Sequence, residues 1–239
     1  MSYKLSVIVV VYNDHQGIQR TLESILRTKL PEIQLIVVDG NSTDGTLEYL
    51  NGVSDSIDNL VIEEKPSGVY GAMNNALDQV KAPYHIFINS SDEVRMDLAD
   101  IADGGACFIP VNIQRHFHKT EHPWGSPKKR DYFGMPYCHQ GIIFPSGKFR
   151  FDTRYKICAD YDYYLQYKAE FAGKDIKPIE GYIFYDAFGL SNSFASRWKS
   201  FAEERQIIRN YFGSDKVFLH RVRFLVSFAW KKIKGHYPK

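Results

Sequence analysis

The first 90 residues alternate between short apolar runs and segments with helical spacing, and this alternation restricts the fold more than any other feature. Residues 5–11 form a continuous run of mostly β-branched side chains, which is typical of a strand buried on both faces. A helix is predicted over 17–28 because apolar residues recur there every three or four positions. The pattern continues with strands at 33–38, 61–62 and 84–88 and helices at 46–50 and 70–80. Alternating strands and helices form a parallel sheet covered by helices, so we predict an α/β fold.

Polar side chains follow two of these strands at the point where each strand ends. The strand at 33–38 runs into Asp39 and a turn rich in Asp, Asn, Ser and Gly, and the strand at 84–88 runs into residues 89–92, which end in Asp92. In an open α/β sheet, ligands bind at the carboxyl ends of the strands. Two such strand ends predict a site for a nucleotide and its metal, and therefore a chain that handles an activated phosphate donor.

Motif searches remove two common nucleotide-binding classes. No GxGxxG follows the first strand and no GxxxxGK[ST] occurs in the chain. A dinucleotide oxidoreductase and a P-loop NTPase therefore both lose their main support. A metal, basic residues or helix N-termini would then have to neutralise the phosphates.

Charge is unevenly distributed along the chain. The formal net charge is only +2, so we expect no nucleic-acid partner. Residues 215–239 hold seven of the 30 Lys and Arg and one of the 28 Asp and Glu, which leaves 23 basic and 27 acidic residues elsewhere. A mildly acidic body is therefore expected to carry a basic tail.

Cysteine usage and hydropathy indicate the compartment. Cys107, Cys138 and Cys158 are few and far apart, so neither a disulfide framework nor a zinc ribbon is predicted. No stretch reaches the length of a membrane-spanning helix, and the apolar run near Met1 is too short for a signal peptide. We therefore expect a reducing, cytoplasmic setting.

Four segments, in this order and spacing, resemble the family 2 glycosyltransferases with the GT-A fold, and most closely the bacterial polysaccharide and O-antigen branch. They are residues 9–13, 37–46, 68–74 and 87–92. The resemblance is strong over residues 4–95, weaker over 137–205 and nearly absent over 96–136.

The resemblance implies a GT-A-like nucleotide-binding fold, with a mainly parallel central sheet flanked by helices and with further helices at the C-terminus. A glycosyltransferase domain is expected over 1–214. Its nucleotide-sugar-binding half would be 1–99 and its acceptor-side half 100–195, and a basic amphipathic helix would follow over 215–239.

The resemblance also assigns roles at the nucleotide. The Tyr after the first strand packs on the base in this family and the Asp that ends the second strand bonds it, so Tyr12 and Asp39 inherit these roles. Asp39 could instead start a turn and cap the next helix, and Asp44 fits that description better than it fits a ligand. The expected nucleotide contacts are Val10, Tyr12, Asn13, Asp39, Asn74, Ser90, Ser91 and Asp92.

The family's acidic metal motif is reduced in this chain. Ser90-x-Asp92 keeps only the second carboxylate. Asp92 is the expected ligand of Mg²⁺ or Mn²⁺, with donor diphosphate and water completing the shell. Metal affinity should then be weak without the nucleotide. The alternative is a strand-ending Asp in a turn.

Two segments of the second half resemble the family's acceptor side. Residues 158–165 resemble its acidic motif at a helix start, where Asp160 aligns with the catalytic base and Ala159 replaces a Glu. Asp162 is the second candidate for the base and lies on another side of the helix. Both acids could instead only favour the helix dipole. Residues 138–141 resemble the family's His-Gln segment, so His139 would contact the donor phosphate or the acceptor, unless it is a buried structural His.

Three further histidines invite a zinc interpretation. His116, His118 and His122 lie close together, but they have no Cys partner and no recognised zinc spacing. Pro123 and the polar surroundings predict a loop here rather than a metal site.

The basic tail carries apolar residues at helical spacing. They include Phe218, Val222, Leu225, Ala229 and Ile233. This pattern predicts an amphipathic helix that either lies on an anionic membrane or docks on the body of the protein.

Taken with the resemblance, these features predict an inverting glycosyltransferase. It would move a sugar from a nucleotide sugar, in our interpretation a UDP-sugar, to a saccharide or lipid-linked saccharide in bacterial surface polysaccharide assembly. It would be cytoplasmic, with peripheral contact at the inner face of the plasma membrane through 215–239. The reduced metal motif and Ala159 leave one alternative, a non-catalytic nucleotide-sugar-binding subunit of an assembly complex. A second alternative is a nucleotidyltransferase, which should carry a Gly-rich basic phosphate loop near the N-terminus, and residues 12–17 do not form one.

Overall fold

The computed structural model describes residues 3–28, 32–63, 68–95, 109–117, 120–124, 130–170, 179–186 and 194–233. Its strands are β1 (Leu5–Val11), β2 (Ile33–Asp39), β3 (Asn59–Ile62), β4 (Tyr84–Asn89), β5 (Glu93–Arg95), β6 (Ile109–Phe117), β7 (Thr120–Trp124), β8 (Ile142–Pro145) and β9 (Ile179–Asp186). Its α-helices are α1 (His15–Leu26), α2 (Thr46–Gly52), α3 (Val69–Leu77), α4 (Ala159–Glu170), α5 (Phe194–Phe212) and α6 (Ser214–Ile233). The elements predicted in the first 90 residues are all present, with shifts of a few residues at their ends.

The first four strands form a parallel sheet in the order β3-β2-β1-β4. All seven residues of β1 are buried because strands lie on both sides of it and helices lie on both faces. In the register of the sheet, Val11 lies beside Asp39 and Val10 lies beside Asn89. The polar residues that follow β1, β2 and β4 therefore emerge at one edge, as the sequence predicted.

Beyond β4 the sheet becomes mixed. β8 runs antiparallel to β4, β6 runs antiparallel to β8, and β9 runs parallel to β6. The short β5 closes this end by pairing antiparallel with β9. The α/β prediction is confirmed, with a parallel first half and a mixed second half.

A β-hairpin formed by β6 and β7 replaces the loop that was predicted around the three histidines. His116 pairs with Glu121 and His122 pairs with Arg115 across the hairpin, while His118 lies outside the described residues. The loop prediction is therefore wrong for His116, His122 and Pro123. A strand tolerates Pro at an edge, and among the described strands β7 pairs only with β6.

The sheet separates two apolar cores. Val7 and Val9 of β1 face a core with the apolar side of α1, whereas Ile8 and Val10 face a core built by α3, α4 and α5. This division follows from the alternation of side chains along a strand. The catalytic candidates of the second half thus lie on helices that pack on the α3 face of the sheet.

Helix α4 is unusual because four of its own Tyr side chains are buried. Tyr161, Tyr163, Tyr164 and Tyr167 are each at most 2% exposed. Tyr163 shares a hydrogen bond of 2.9 Å with Nε2 of His85, a fully buried residue of β4. Burial, with the Arg150 guanidinium as a smaller cause, lowers the pKa of His85 to about 3, so this His is neutral in the folded protein. His85 and Tyr163 join the parallel half of the sheet to α4.

Candidate active site

Asp39 is turned into the protein at the end of β2. It is fully buried, its Oδ1 accepts a hydrogen bond of 2.8 Å from the Ser42 N–H, and its Oδ2 accepts one of 2.6 Å from the Ser42 hydroxyl. This arrangement is the turn-forming alternative seen in the sequence. Bonding of Asp39 to a nucleobase remains a prediction.

The loops after β1 and β2 are tied together. The Asn13 N–H donates to Ser42 Oγ at 2.8 Å, and Asn13 Oδ1 accepts from the Thr43 N–H at 2.8 Å. Asn13 has a φ of 49°, a conformation that Asn adopts more readily than most residues. These contacts bring Asn13 and Asp39 into one network around Ser42.

The Tyr12 ring lies at the open side of these loops. It is 63% exposed, and a Cβ added at Gly40 would lie 3.2 Å from its Cδ2, so the ring lies directly against Gly40. Val10, two residues before it, is buried in β1, and its carbonyl accepts a hydrogen bond from the Ser90 N–H. The exposed aromatic face of Tyr12 is therefore available to a planar ligand.

The residues after β4 divide into an outer pair and an inner carboxylate. Ser90 and Ser91 are half-buried, and Ser91 donates to Asp14 Oδ2 at 2.9 Å. Asp92 is only 1% exposed, and its Oδ2 accepts from the Asn89 N–H and from Gln140 Nε2, both at 3.3 Å. The Asp92 carboxylate is therefore buried at the end of β4, whereas Ser90 and Ser91 are partly exposed there. The sequence singled out His139, yet it is the adjacent Gln140 that reaches Asp92.

The described residues offer a cation few protein ligands. They contain no group of three or more His, Cys, Asp or Glu side chains arranged to hold a metal. Next to Asp92, however, Asn89 Oδ1 is buried and has no hydrogen-bond partner within the described part of the chain. An oxygen of this kind suits a hard cation, which also takes carboxylate, phosphate and water oxygens. The end of β4 therefore fits a cation whose ligands come mainly from the phosphate oxygens of a bound donor substrate.

Asn74 joins α3 to the segment before α4. Its Nδ2 donates to the Phe151 carbonyl and its Oδ1 accepts from the Phe151 N–H, both at 2.9 Å. The next residue, Asn75, donates to the buried Glu63 at 2.6 Å. The structure thus gives Asn74 two backbone contacts far along the chain, and its expected contact with the nucleotide remains a prediction.

Asp160 lies at the first turn of α4 with His139 beside it. Its Oδ2 is 3.5 Å from His139 Nδ1, and the two side chains are 24% and 14% exposed. His139 Nε2 is buried and has no hydrogen-bond partner in the part of the chain that is described. The structure therefore brings together the two residues that were predicted to be catalytic.

Tyr70 of α3 completes this group. Its hydroxyl donates to the Ile157 carbonyl at 2.6 Å and makes a longer contact of 3.5 Å with Asp160 Oδ1. Burial, and next the charge of Asp160, hold the pKa of Tyr70 well above its usual value. Tyr70 therefore stays protonated, with its hydrogen directed to the Ile157 carbonyl and Asp160 at the longer distance.

Asp162 faces away from this group. It is 7% exposed and accepts a hydrogen bond of 2.7 Å from Gln166 Nε2, one turn along α4. Burial raises its pKa above the ordinary value of a carboxyl group. Of the two candidate bases, only Asp160 lies beside His139.

Glu203 of α5 is a site residue that sequence reasoning missed. Its carboxylate accepts from three consecutive backbone N–H groups, those of Lys156 at 2.8 Å and of Ile157 and Cys158 at 2.9 Å. These residues immediately precede α4, so Glu203 fixes the segment that carries Asp160. No local motif marks it, because it lies more than 40 residues from its partners.

Comparison with known proteins places the chain in a family. The model of the family described as "Glycosyl transferase family 2" matches residues 6–154, more than half of the chain. A relative from Mycobacterium bovis BCG, named as a PGL/p-HBAD biosynthesis glycosyltransferase, is 28% identical over 67% of this chain and 68% of its own length. A poly(ribitol-phosphate) beta-glucosyltransferase of Bacillus spizizenii is 33% identical over 38% of this chain, but over only 15% of its own length.

Solved structures share the fold at low sequence identity. Staphylococcus aureus TarS (residues 1–349) in complex with UDP-GlcNAc has a TM-score of 0.69 and 19% identity over 89% of this chain and 69% of its own. The mannosyltransferase PcManGT from Pyrobaculum calidifontis, in complex with GDP-Man and Mn²⁺, has a TM-score of 0.62 and 16% identity over 88% and 64%. Both likenesses support a GT-A-like fold.

Among the described helices, none is long and apolar enough to cross a bilayer. The match over residues 6–154 and the named relatives together show that the chain belongs to glycosyl transferase family 2 and is a glycosyltransferase.

Proposed function

We propose that this enzyme transfers a sugar, with inversion, from a UDP-sugar to a hydroxyl of a lipid-linked saccharide during surface-glycan assembly. The observation that carries the proposal is Asp160, a partly exposed carboxylate at the start of α4 with His139 3.5 Å away. Its Oδ1 accepts a hydrogen bond of 2.8 Å from the Tyr161 N–H, yet it is more exposed than Asp39 and Asp92, which are both fully buried. A reaction that removes a proton from an acceptor hydroxyl needs such a group.

Three lines of support concern the substrates. TarS binds UDP and UDP-GlcNAc with the same fold, which favours a UDP-sugar donor. The mycobacterial relative is named as a PGL/p-HBAD biosynthesis glycosyltransferase, and the Bacillus relative as a poly(ribitol-phosphate) beta-glucosyltransferase. These names favour a surface-glycan acceptor. A lipid-linked acceptor would place the enzyme in the cytoplasm at the inner face of the plasma membrane.

The donor would bind at the ends of β1, β2 and β4. In this proposal the exposed ring of Tyr12 stacks on the base, and Asp39 bonds the base from below. Val10, Asn13, Ser90 and Ser91 border the same edge, and Asn74 holds α3 against the acceptor side. The nucleotide-sugar half is then 1–99 and the acceptor half 100–195, within a domain that extends to 214.

The chemical step is a displacement at the anomeric carbon. The acceptor oxygen attacks this carbon, its bond to the diphosphate oxygen breaks, and Asp160 takes the acceptor proton. His139 and Tyr70 hold the Asp160 carboxylate in place, and Glu203 holds the backbone before it. Asp92 is the carboxylate that would hold Mg²⁺ or Mn²⁺, a cation that neutralises the departing diphosphate.

A thermal-shift screen of UDP-, GDP- and dTDP-sugars, with and without Mn²⁺, tests the donor part. A ligand that binds only the folded state raises its apparent stability. We expect a shift with UDP-sugars that grows with Mn²⁺ and shrinks in Asp92→Ala. A shift only with GDP- or dTDP-sugars would contradict the donor class. No shift with any donor, from folded protein, would contradict the donor site.

A further inference from the structure

The outward side of α6 is apolar along most of the helix. Six large apolar side chains are between 41% and 66% exposed there: Phe218, Leu219, Val222, Leu225, Val226 and Trp230. At about 100° per residue they fall within one sector of the helix surface. We call this sector the outer face of α6.

The opposite side of α6 is already docked on the protein. Phe224 stacks on Phe201 of α5 with ring centroids 3.9 Å apart, and His220 Nε2 lies 3.0 Å from Glu204. Val217 and His220 are 6% and 5% exposed. The sequence left open whether the apolar residues dock on the body or face outward, and the structure turns Phe218, Val222 and Leu225 outward. The outer face therefore has a fixed orientation on a folded support.

Basic residues border the outer face on both sides. Arg221 and Arg223 are exposed, and helical geometry places them at opposite margins of the sector, where the Arg223 guanidinium also lies 4.6 Å over the Phe133 ring. After Asp215 in its first turn, the sequence of α6 contains no acidic residue. An apolar sector between cationic margins matches a surface that is apolar inside and anionic outside.

A second copy of the chain fits this face less well. A 20-residue helix is about 30 Å long, so one face about 10 Å wide offers roughly 300 Å², whereas a stable interface needs about 800 Å² from each partner. A symmetric contact would also bring the arginine margins of two copies together. Area and charge thus both disfavour self-association.

We propose that the outer face of α6 binds the surface of an anionic lipid bilayer, with the helix lying in the plane of the membrane. Exposed Trp230 lies near one end of the face, and Trp is a residue that prefers the membrane–water interface. This membrane contact would carry the active site to a lipid-linked acceptor, and its purpose rests on the proposed function. Vesicle binding itself requires neither donor nor acceptor.

Co-sedimentation of the full chain with lipid vesicles tests this surface. Vesicles of phosphatidylcholine with phosphatidylglycerol are compared with vesicles of phosphatidylcholine alone. The two variants are Val226→Asp, which puts a carboxylate on the outer face, and Ser227→Asp, which puts one on an exposed neighbour outside it. Both positions are exposed, so neither change removes core packing, and circular dichroism checks that both variants fold.

We expect binding to the anionic vesicles that weakens with salt, and little binding to the neutral ones. Val226→Asp should lower the apparent partition coefficient by about tenfold or more, and Ser227→Asp should lower it much less. Equal losses in the two variants would overturn the assignment of the face, and equal binding to neutral vesicles would overturn the role of charge. Self-association without lipid that Val226→Asp abolishes would assign the face to a second copy instead. If vesicles bind while no sugar is transferred, the proposed function fails and the membrane surface stands.

Discussion

The carboxylates at the two sides of this candidate active site differ in how far they are exposed. At the ends of β2 and β4, Asp39 and Asp92 are 0% and 1% exposed and accept hydrogen bonds from their own turns, and Asp92 also accepts one from Gln140. At the start of α4, Asp160 accepts a hydrogen bond of 2.8 Å from the Tyr161 N–H, but its side chain is 24% exposed and also meets Tyr70 and His139. A carboxylate that is fully buried among its hydrogen bonds stabilises a loop, whereas a carboxylate that is partly exposed to solvent can still accept a proton from a substrate.

The comparison teaches that position in the sheet and chemical availability are separate properties. The parallel sheet brings all the acid-bearing ends to defined places, as the sequence predicted. Which oxygen is open to a ligand depends on hydrogen bonds made after the chain has folded. Four experiments test this difference, from the largest expected effect to the smallest.

Asp160→Asn should abolish transfer while leaving donor binding intact. Removal of a general base costs about a thousandfold in rate, and the amide keeps the size of the side chain. Turnover with a UDP-sugar and a saccharide acceptor measures the loss, and thermal shift measures donor binding.

Asp162→Asn is the matched control, two residues along the same helix. Because burial raises the pKa of Asp162 and its partner is Gln166, this variant should fold and retain most of its activity. The opposite outcome, with Asp162→Asn inactive and Asp160→Asn active, would reverse the assignment of the base.

Protonation of His85 in acid should weaken the contact between β4 and α4 that His85 makes with Tyr163. Burial lowers its pKa from 6.5 to about 3, so between these values the unfolded chain binds a proton that the folded chain does not. The free energy of unfolding should therefore decrease as pH falls below 6.5, by about 1.4 kcal/mol per pH unit from this group. Urea unfolding at several pH values, compared with His85→Gln, isolates the effect. Parallel curves for the two proteins would show that His85 is protonated normally in the folded state.

Glu203→Ala should reduce turnover by about a hundredfold, because the segment before Asp160 loses the group that holds three of its N–H donors. The free energy of unfolding should decrease by about 2 kcal/mol. Donor affinity should not change, and Glu203→Gln should recover part of the turnover since its amide oxygen still accepts.

Glu204→Gln provides the control for stability alone. Glu204 pairs with His220 between α5 and α6, and no backbone N–H of residues 156–158 donates to it, since all three donate to Glu203. It should lower stability without lowering turnover. If Glu203→Ala and Glu204→Gln have the same effect on turnover, Glu203 does not position the base.

The smallest expected effects concern the turn after β2. Asp39→Asn and Ser42→Ala each disturb the bond between these residues and should each cost about 1 kcal/mol of stability. Only Asp39→Asn should also weaken the thermal shift with UDP-sugars, because Ser42→Ala keeps the carboxylate. An unchanged donor shift in Asp39→Asn would reduce Asp39 to a residue of the turn.

Much of the fold and part of the site could be predicted from the sequence. The β-branched run of β1 and the spacing of α1 report local geometry, and the polar ends of β2 and β4 follow from where those strands stop. A strand was predicted at 106–113, within which β6 begins, but the rest of the β6–β7 hairpin was missed because it carries polar residues and a Pro, which also occur in loops. Glu203 and Gln140 were missed because their partners lie 45 to 48 residues away along the chain.

By itself, the sequence determined the strand–helix order, the edge at which the polar residues meet, and the amphipathic pattern of α6. These are properties of neighbours a few residues apart, which periodicity records. Only the tertiary structure decided that Asp39 and Asp92 turn inward, that Asp160 rather than Asp162 lies beside His139, and that the apolar side of α6 faces outward. Those outcomes depend on packing and hydrogen bonds between distant segments, where burial of one group fixes the direction of another, and no local pattern encodes them.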